Sequence, residues 1–331
     1  MIEIFHTPPL NTVQDLGRFG YRRYGIGTAG AMDRLALAAG NRALGNAQDA
    51  AGIEFQLFPV TIRFQKDGAI ALTGADCAAT LDGRALPPWW VMPVQEGQTL
   101  KLAAPVRGAR SYLAVAGGID VPEVLGSRST QMRDGFGGLS GRQLAAGDVL
   151  AAGPHAPFRI RDPFGFGIEP PASALEPNLH DWSVDDDVVL RAILASEAPQ
   201  FDDASLKAFK KASWTITAQS NRMGYRLAGP TLRRPDPTEM RSQAIVQGVV
   251  QVPPSGQPII QLADGNSAGG YPKIAYVLQS DLWRLAQSTP GRMLRFSLVS
   301  LDEAARARQQ VSQYLNDVAR FSSYCRMRVT A

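Results

Sequence analysis

Two cysteines in 331 residues, Cys77 and Cys325, are too few and too far apart for a disulfide framework or a CxxC metal knuckle. The chain therefore reads as one from a reducing compartment. Histidine is almost as scarce: His6, His155 and His180 share none of the tight, repeated spacing of zinc ligands, HExxH is absent, and no metal site is expected. There is no GxSxG elbow, and neither cysteine has a histidine nearby in sequence; a triad assembled in space leaves no such trace. The absence of any Gly-Lys pair excludes a Walker A phosphate loop. No apolar run approaches the length of a membrane span. The opening MIEIFHTPPL lacks the basic start and long apolar stretch of a signal peptide. The expected location is cytoplasmic, with no membrane partner.

What is present is an ordinary globular composition, 45% apolar and 19% charged, long enough for two domains or one large one. The formal net charge of +4 is small, and the basic residues are scattered and not clustered on one stretch, so nucleic acid is not an expected partner. A small excess of positive charge suits an anionic substrate.

The stretch around which the rest is read is TVQDLGRFGYRRYGIGTAGAMD, Thr12 to Asp33, where Gln14, Asp15, Arg18, Arg22, Arg23 and Asp33 stand among five glycines. Glycine lets a backbone take positive φ and approach a ligand closely. Charged side chains fixed on such a backbone make a polar site for a small substrate; a long capped surface loop is the plainer alternative. Gly25-Ile-Gly27-Thr-Ala-Gly30 matches the dinucleotide fingerprint formally, but polar, glycine-broken GRFGYRRY precedes it where a buried strand is required, and no βαβ alternation follows. Helix is expected after Asp33, which serves as its cap, with Gly45-Asn46 as the stop.

From Ile53 to Leu150 short apolar runs alternate with Gly, Pro and Asp turns, and Phe58–Phe64, Ala69–Thr73, Ala78–Leu81, Trp89–Val94, Thr99–Ala103 and Ser111–Ala116 all read as strands. This texture points to a β-barrel or sandwich and not to a parallel α/β sheet. Trp89 and Trp90 read as core aromatics, with a stacking surface as the alternative. His155 to Asp187, rich in Pro and acids, reads as a linker or crossover. Strands resume with VVLRAIL and at Trp214–Ala218, Tyr225–Leu227, Ala244–Val252, Pro258–Ala263 and Ile274–Leu278, with short helices at Ser205–Lys211 and Asp281–Gln287. Val311, Leu315 and Val318, followed by Phe321 and Tyr324, give the tail an amphipathic helical face that docks on the body. Echoes such as ALTGAD and IIQLADG support two related halves.

Four polar clusters sit in Gly-rich loops: Gln14, Asp15 and Arg18; Gly126 to Thr130 with Arg128; Asn221, Arg222, Tyr225 and Arg226; and Asp264, Asn266, Tyr271 and Lys273. Fixed Arg, Lys, Asn and backbone donors stabilise the negative charge that develops on oxygen when an amide or ureido group reacts. Arg grips a carboxylate through two parallel hydrogen bonds. Asp15 or Asp264 is placed to act as a base or to orient an Arg. The candidate catalytic residues are Asp15, Arg18, Arg128 and Lys273, and the candidate substrate-binding residues are Gln14, Arg222, Asn221, Asp264, Asn266 and Tyr271. The clusters are expected to share one pocket; Arg side chains that merely tie loops together are the competing account.

The same segments carry a family resemblance. Thr12–Asp33, ALTGADCAATLDG, SYLAVAGGIDVPEVLGSRST, SNRMGYRLAGP and QVPPSGQPIIQLADGNSAGGYPKIAYV together resemble the biotin-dependent carboxyltransferase family, which takes in 5-oxoprolinase C subunits, KipA and the second allophanate-hydrolase-type part of urea amidolyase. The resemblance implies a mainly β protein of two cyclophilin-like barrel halves, at 1–154 and 188–300, joined through 155–187 and followed by a C-terminal helix at 301–331. It implies a subunit of an ATP-dependent amide hydrolase, active in complex, that opens 5-oxoproline to glutamate with a KipI-like B subunit and a LamB/YcsF-type A subunit, one of which holds or helps to hold ATP. Two alternatives are carboxyl transfer to urea or a related amide, and a KipA-type regulator that binds a KipI-like kinase inhibitor. No Met-Lys-Met attachment site is present, so any biotin would arrive on another protein.

Overall fold

The computed structural model describes residues 2–175, 187–236 and 240–328. Contacts divide the chain into two compact units, the first made of residues 1–18, 29–180 and 312–331 and the second of 19–28 and 181–311. Among the described residues no helix is long and apolar enough to cross a membrane.

In the first unit two sheets share one core. Val60–Phe64 shows why: its side chains alternate between core and solvent, with Val60, Ile62 and Phe64 buried and Arg63 exposed. It pairs with Ile2–His6, which also pairs with Val149–Ala152, and on its other side with Thr99–Leu102. The second sheet is built on Gly68–Asp76 and Arg107–Val115, with Tyr112 opposite Thr73 and Leu113 opposite Leu72. Beyond Arg107–Val115 lie Gly52–Phe55 and then Thr12–Gln14 as the edge strand. Ile4, Ile62 and Leu100 from one sheet meet Ile53, Leu72 and Leu113 from the other.

Arg107–Val115 does not alternate: every residue from Arg110 to Val115 is buried. Helix Arg34–Leu44 packs on it and on Gly68–Asp76, so both faces are covered. The helix starts where the sequence places it, the Asp33 carboxylate accepting from Ala36 N at 2.8 Å, and it stops at left-handed Gly45. Trp89 is buried and donates to Gly74 O at 3.0 Å, which fits a core aromatic.

Cys77 is in this core, 2% exposed, with Ser111 Oγ 2.8 Å from its sulfur. Burial pushes its thiol up to about 12; the Ser111 hydrogen bond opposes that and the Asp76 charge adds to it. Since the thiolate is the reactive form, the native protein at pH 8 is expected to release no more than one equivalent to a thiol reagent, from half-buried Cys325, and two in denaturant. A second native equivalent would mean that this core opens.

The second unit closes a seven-stranded barrel in the order Val188–Leu194, Lys273–Val277, Val249–Gln251, Ile259–Gln261, Gly224–Ala228, Trp214–Ile216, Met293–Leu298. The closing pair, Met293–Leu298 with Val188–Leu194, is parallel, while the other neighbours are antiparallel. Helix Asp203–Lys211, capped by the Asp202 side chain, sends Phe209 against Trp214 and Phe296.

Two expectations need correcting. Residues 155–187 are not a plain linker: Phe158–Ile160 and Phe166–Gly167 are strands and Pro171–Leu175 a short helix, because Ile160, Phe166 and Ile168 are buried apolar anchors. Residues 176–186, with His180, Asp185 and Asp186, lie outside those described. The tail helix runs Leu301–Cys325, and the chain then forms the strand Arg326–Arg328 against Phe158–Ile160. The buried face of the helix uses Ala307, Tyr314, Leu315 and Val318, whereas Phe321 and Tyr324, expected to dock, are 52% and 70% exposed.

Candidate functional site

Edge strand Thr12–Gln14 delivers Asp15 into the loop 124–130. The Asp15 Oδ1 accepts from Gly17 N at 2.7 Å, Ser127 Oγ at 2.8 Å and Ser129 Oγ at 2.5 Å, and Oδ2 accepts from Arg128 N at 2.6 Å. A carboxylate whose acceptor sites are filled by four donors is an organiser of backbone. Gln14 Nε2 reaches Thr130 O at 3.2 Å and so ties the same two loops.

Arg18 is fully buried, donating from Nε to Val124 O at 2.9 Å and from Nη2 to Ser129 O at 3.1 Å, with its guanidinium 4.7 Å from the Phe136 ring centre. Burial holds it below the usual arginine value, and the Asp15 charge works against that shift. Gly137 is needed here: its φ is +72°, and a Cβ would stand 2.2 Å from Ser129 O and 2.9 Å from Arg18 Nη2.

The far end of the glycine-rich stretch is held by a second carboxylate. Glu54, fully buried, accepts from Met32 N and Tyr112 OH, both at 2.8 Å, and the Tyr112 oxygen accepts from Asp33 N at 2.8 Å. Burial, then the Glu54 and Asp33 charges, raise the Tyr112 phenol well above its usual value. Nothing in the local sequence marks Glu54 or Tyr112; they meet only because Gly52–Phe55 and Arg107–Val115 are paired with Tyr112 opposite Glu54.

Arg128 alone of the expected cations in this unit reaches open space. Its Nε donates to Val121 O at 3.0 Å, Nη1 lies 3.4 Å from Glu123, and the side chain remains 39% exposed. It lines a polar cavity of about 390 Å³ with Asp15, Asn46, Asp120, Ser127 and His155.

In the second unit Arg222 and Asp264 form a two-pronged pair at 2.8 and 3.0 Å, almost wholly buried. Lys273, 3% exposed, donates from Nζ to Glu197 Oε1 at 2.9 Å and Gln243 Oε1 at 2.7 Å, while Glu197 Oε2 takes the Lys273 backbone N–H at 2.6 Å. These three expected residues are therefore paired inside the protein, and Glu197 carries no sequence signal of its role.

Asn221, Asn266 and Tyr271, by contrast, line a cavity of about 1230 Å³. Arg226, Arg233 and Arg234 line it too; among the described residues one carboxylate, Asp202, joins them, and it is engaged in capping its helix. Gln261 Nε2 donates to Gln251 Oε1 at 2.9 Å and Gln251 Nε2 to Tyr271 O at 3.2 Å, so the polar wall is held in place. Ile245, Val252 and Ile259 supply an apolar wall. Arg226 follows from strand alternation: in Gly224–Ala228, Tyr225 and Leu227 are buried and Arg226 is exposed between them. A concave site with convergent cations and an apolar side suits a small organic anion.

The family described as carboxyltransferase domain, subdomain A and B, matches residues 24–298. Among curated proteins the chain is 42% identical to the C subunit of 5-oxoprolinase from Escherichia coli, over 96% of this chain and 98% of that one. It is 43% identical to the protein of the same name from Haemophilus influenzae, over 97% and 98%. Identity to urea amidolyase of Lachancea kluyveri is 32%, over 90% of this chain but only 17% of that protein. Among solved structures, K. lactis urea amidolyase matches with a TM-score of 0.84 at 27% identity, over 96% of this chain and 20% of the other. The protein TTHA0988 matches with a TM-score of 0.76 at 32% identity, over 89% and 55%.

Proposed function

This chain belongs to the family of carboxyltransferase domains built from subdomains A and B, and from that membership we propose that it is the C subunit of a 5-oxoprolinase. The enzyme opens the lactam of 5-oxoproline to L-glutamate at the expense of ATP, in an assembly with a KipI-like B subunit and a LamB/YcsF-type A subunit. The observation that carries the reading is identity matched in length: 42% and 43% over 98% of each C subunit, against 32% over 17% of a urea amidolyase.

The geometry supports the same substrate class. 5-Oxoproline is a small anion with one carboxylate and one lactam. In our assignment Arg226 and Arg233 hold the carboxylate, and Asn221, Asn266 and Tyr271 face the lactam. Arg222, Asp264 and Lys273 keep the loops that carry those groups in register. Asp15, Arg18 and Gln14 do the equivalent work behind Arg128, which presents the open cation of the other unit. Lactam hydrolysis adds water across the C–N bond and leaves a carboxylate and an amine. Fixed donors near the carbonyl oxygen stabilise the charge that forms there.

Carboxyl transfer to urea or a related amide, from biotin carried on another protein, is the second reading, favoured by the 0.84 TM-score to K. lactis urea amidolyase. The deciding assay measures glutamate from 5-oxoproline and ATP, with this chain alone and with both partner subunits. Glutamate is expected only from the full assembly. An assembled complex that releases none, yet carboxylates urea from carboxybiotin, would replace the first reading by the second.

A further inference from the structure

The first unit carries a surface that neither cavity explains. Phe164, Phe321, Tyr324 and Met327 are 55%, 52%, 70% and 39% exposed. Contacts run between the two segments that carry them. Phe166, two residues from Phe164, meets the Phe321 ring edge-on at 6.1 Å. Arg161 Nε donates to Tyr324 O at 2.6 Å. Arg159 pairs with Met327 across the short two-stranded sheet, so both side chains rise on the same side. Exposed apolar side chains gathered in this way mark an interaction site more often than isolated ones do.

Three arginines stand around them, beside the exposed Asp162. The Arg84 guanidinium covers the Phe164 ring at 4.1 Å, and Arg84, Arg159 and Arg161 are all exposed. Among the described residues none of the three makes an ion pair. The acid of this segment, Asp162, accepts from Phe164 N at 2.8 Å and is engaged within its own turn. The backbone is also fixed: Trp90 Nε1 donates to Phe164 O at 2.7 Å, and Phe166–Gly167 is hydrogen-bonded to Trp90 and Val91. A surface already ordered forfeits little entropy on binding. Aromatic residues and arginine are the side chains that dominate binding energy in protein interfaces.

We propose that this face, centred on Phe164, Phe321 and Tyr324 and flanked by Arg84, Arg159 and Arg161, docks an acidic segment of a partner subunit of the assembly. The proposal rests on the reading above that the chain works as one subunit of a larger enzyme. The occupant is a protein segment that brings carboxylates to the arginines and an apolar side chain to the exposed phenylalanines.

The test uses the full chain and the purified KipI-like subunit, with Kd measured by calorimetry at two salt concentrations. A Phe164→Ala, Tyr324→Ala double variant is expected to raise Kd about 30-fold or more. Arg159→Glu, at an exposed position with no ion pair among the described residues, is expected to raise Kd and flatten its salt dependence. Both variants should keep the wild-type melting temperature, and an unchanged melt with lost binding supports the proposal. If the wild-type assembly releases glutamate while both variants bind as wild type, the proposal fails and the functional reading stands. If the wild-type chain binds no partner subunit, both fall. A homodimer in sedimentation that the double variant abolishes, or RNA binding lost in Arg159→Glu with subunit binding intact, would replace the proposed occupant and overturn it.

Discussion

Replacing Asp15 by alanine is expected to cost about 3–5 kcal/mol of stability, the range found when one member of a buried charged network is removed. Four donors converge on that carboxylate, and three of them are hydroxyl or amide groups of residues 127–129. Without it those groups lose their partner inside the protein, and the buried Arg18 guanidinium loses the negative charge that opposes its desolvation. Asp15→Asn keeps the shape but turns an NH₂ toward at least one donor, so a smaller loss of about 2–3 kcal/mol is expected. Urea denaturation at neutral pH measures both. A loss under about 1 kcal/mol combined with abolished turnover would make Asp15 a base and not an organiser.

Arg226→Ala should act in the opposite way. The side chain is exposed on its strand and no ion pair holds it among the described residues, so stability is expected to stay within about 0.5 kcal/mol of wild type. Removing a charged hydrogen bond to a substrate carboxylate costs about 1.5–3 kcal/mol, which raises KM for 5-oxoproline roughly 10- to 150-fold. Because the carboxylate is held equally in ground and transition states, kcat should change by less than about threefold. Arg226→Lys should recover part of the loss, since an ammonium supplies charge without the fork. Steady-state kinetics of the reconstituted assembly separates these outcomes. An unchanged KM in Arg226→Ala would move the substrate away from the 1230 Å³ cavity.

The fold and the candidate site residues were unequally legible in the sequence. Local signals worked: Asp33 caps its helix, Gly45 ends it, and the second-half strands begin within a few residues of their expected places. These features depend on residues that are close along the chain. The roles of Asp15 and Lys273 depend on partners far away, Ser129 at 114 residues and Glu197 at 76. A polar residue in a glycine-rich loop looks the same whether it faces substrate or staples two loops. Only pairing distinguishes Arg222, locked to Asp264, from Arg226, which faces a cavity four residues along the same stretch. The tail shows the limit of periodicity: Phe321 and Tyr324 continue the helical spacing, but the chain is about to become a strand, and the face they extend lies outside the core.

The strand Arg326–Arg328 also fixes an order of events in biosynthesis. Its backbone pairs with Phe158–Ile160, and Arg326 Nη1 donates to Leu44 O, 282 residues earlier. Every strand of the barrel is translated between the first unit's opening segments and this strand that pairs back onto them. A nascent chain emerging from the ribosome must therefore wait, with Phe158–Ile160 lacking its partner, while the barrel is made. Unpaired strand edges in such intermediates invite wrong pairings. Stalling or proteolysis before Cys325 would leave that edge open, which makes the synthesis of this short strand a checkpoint for folding yield.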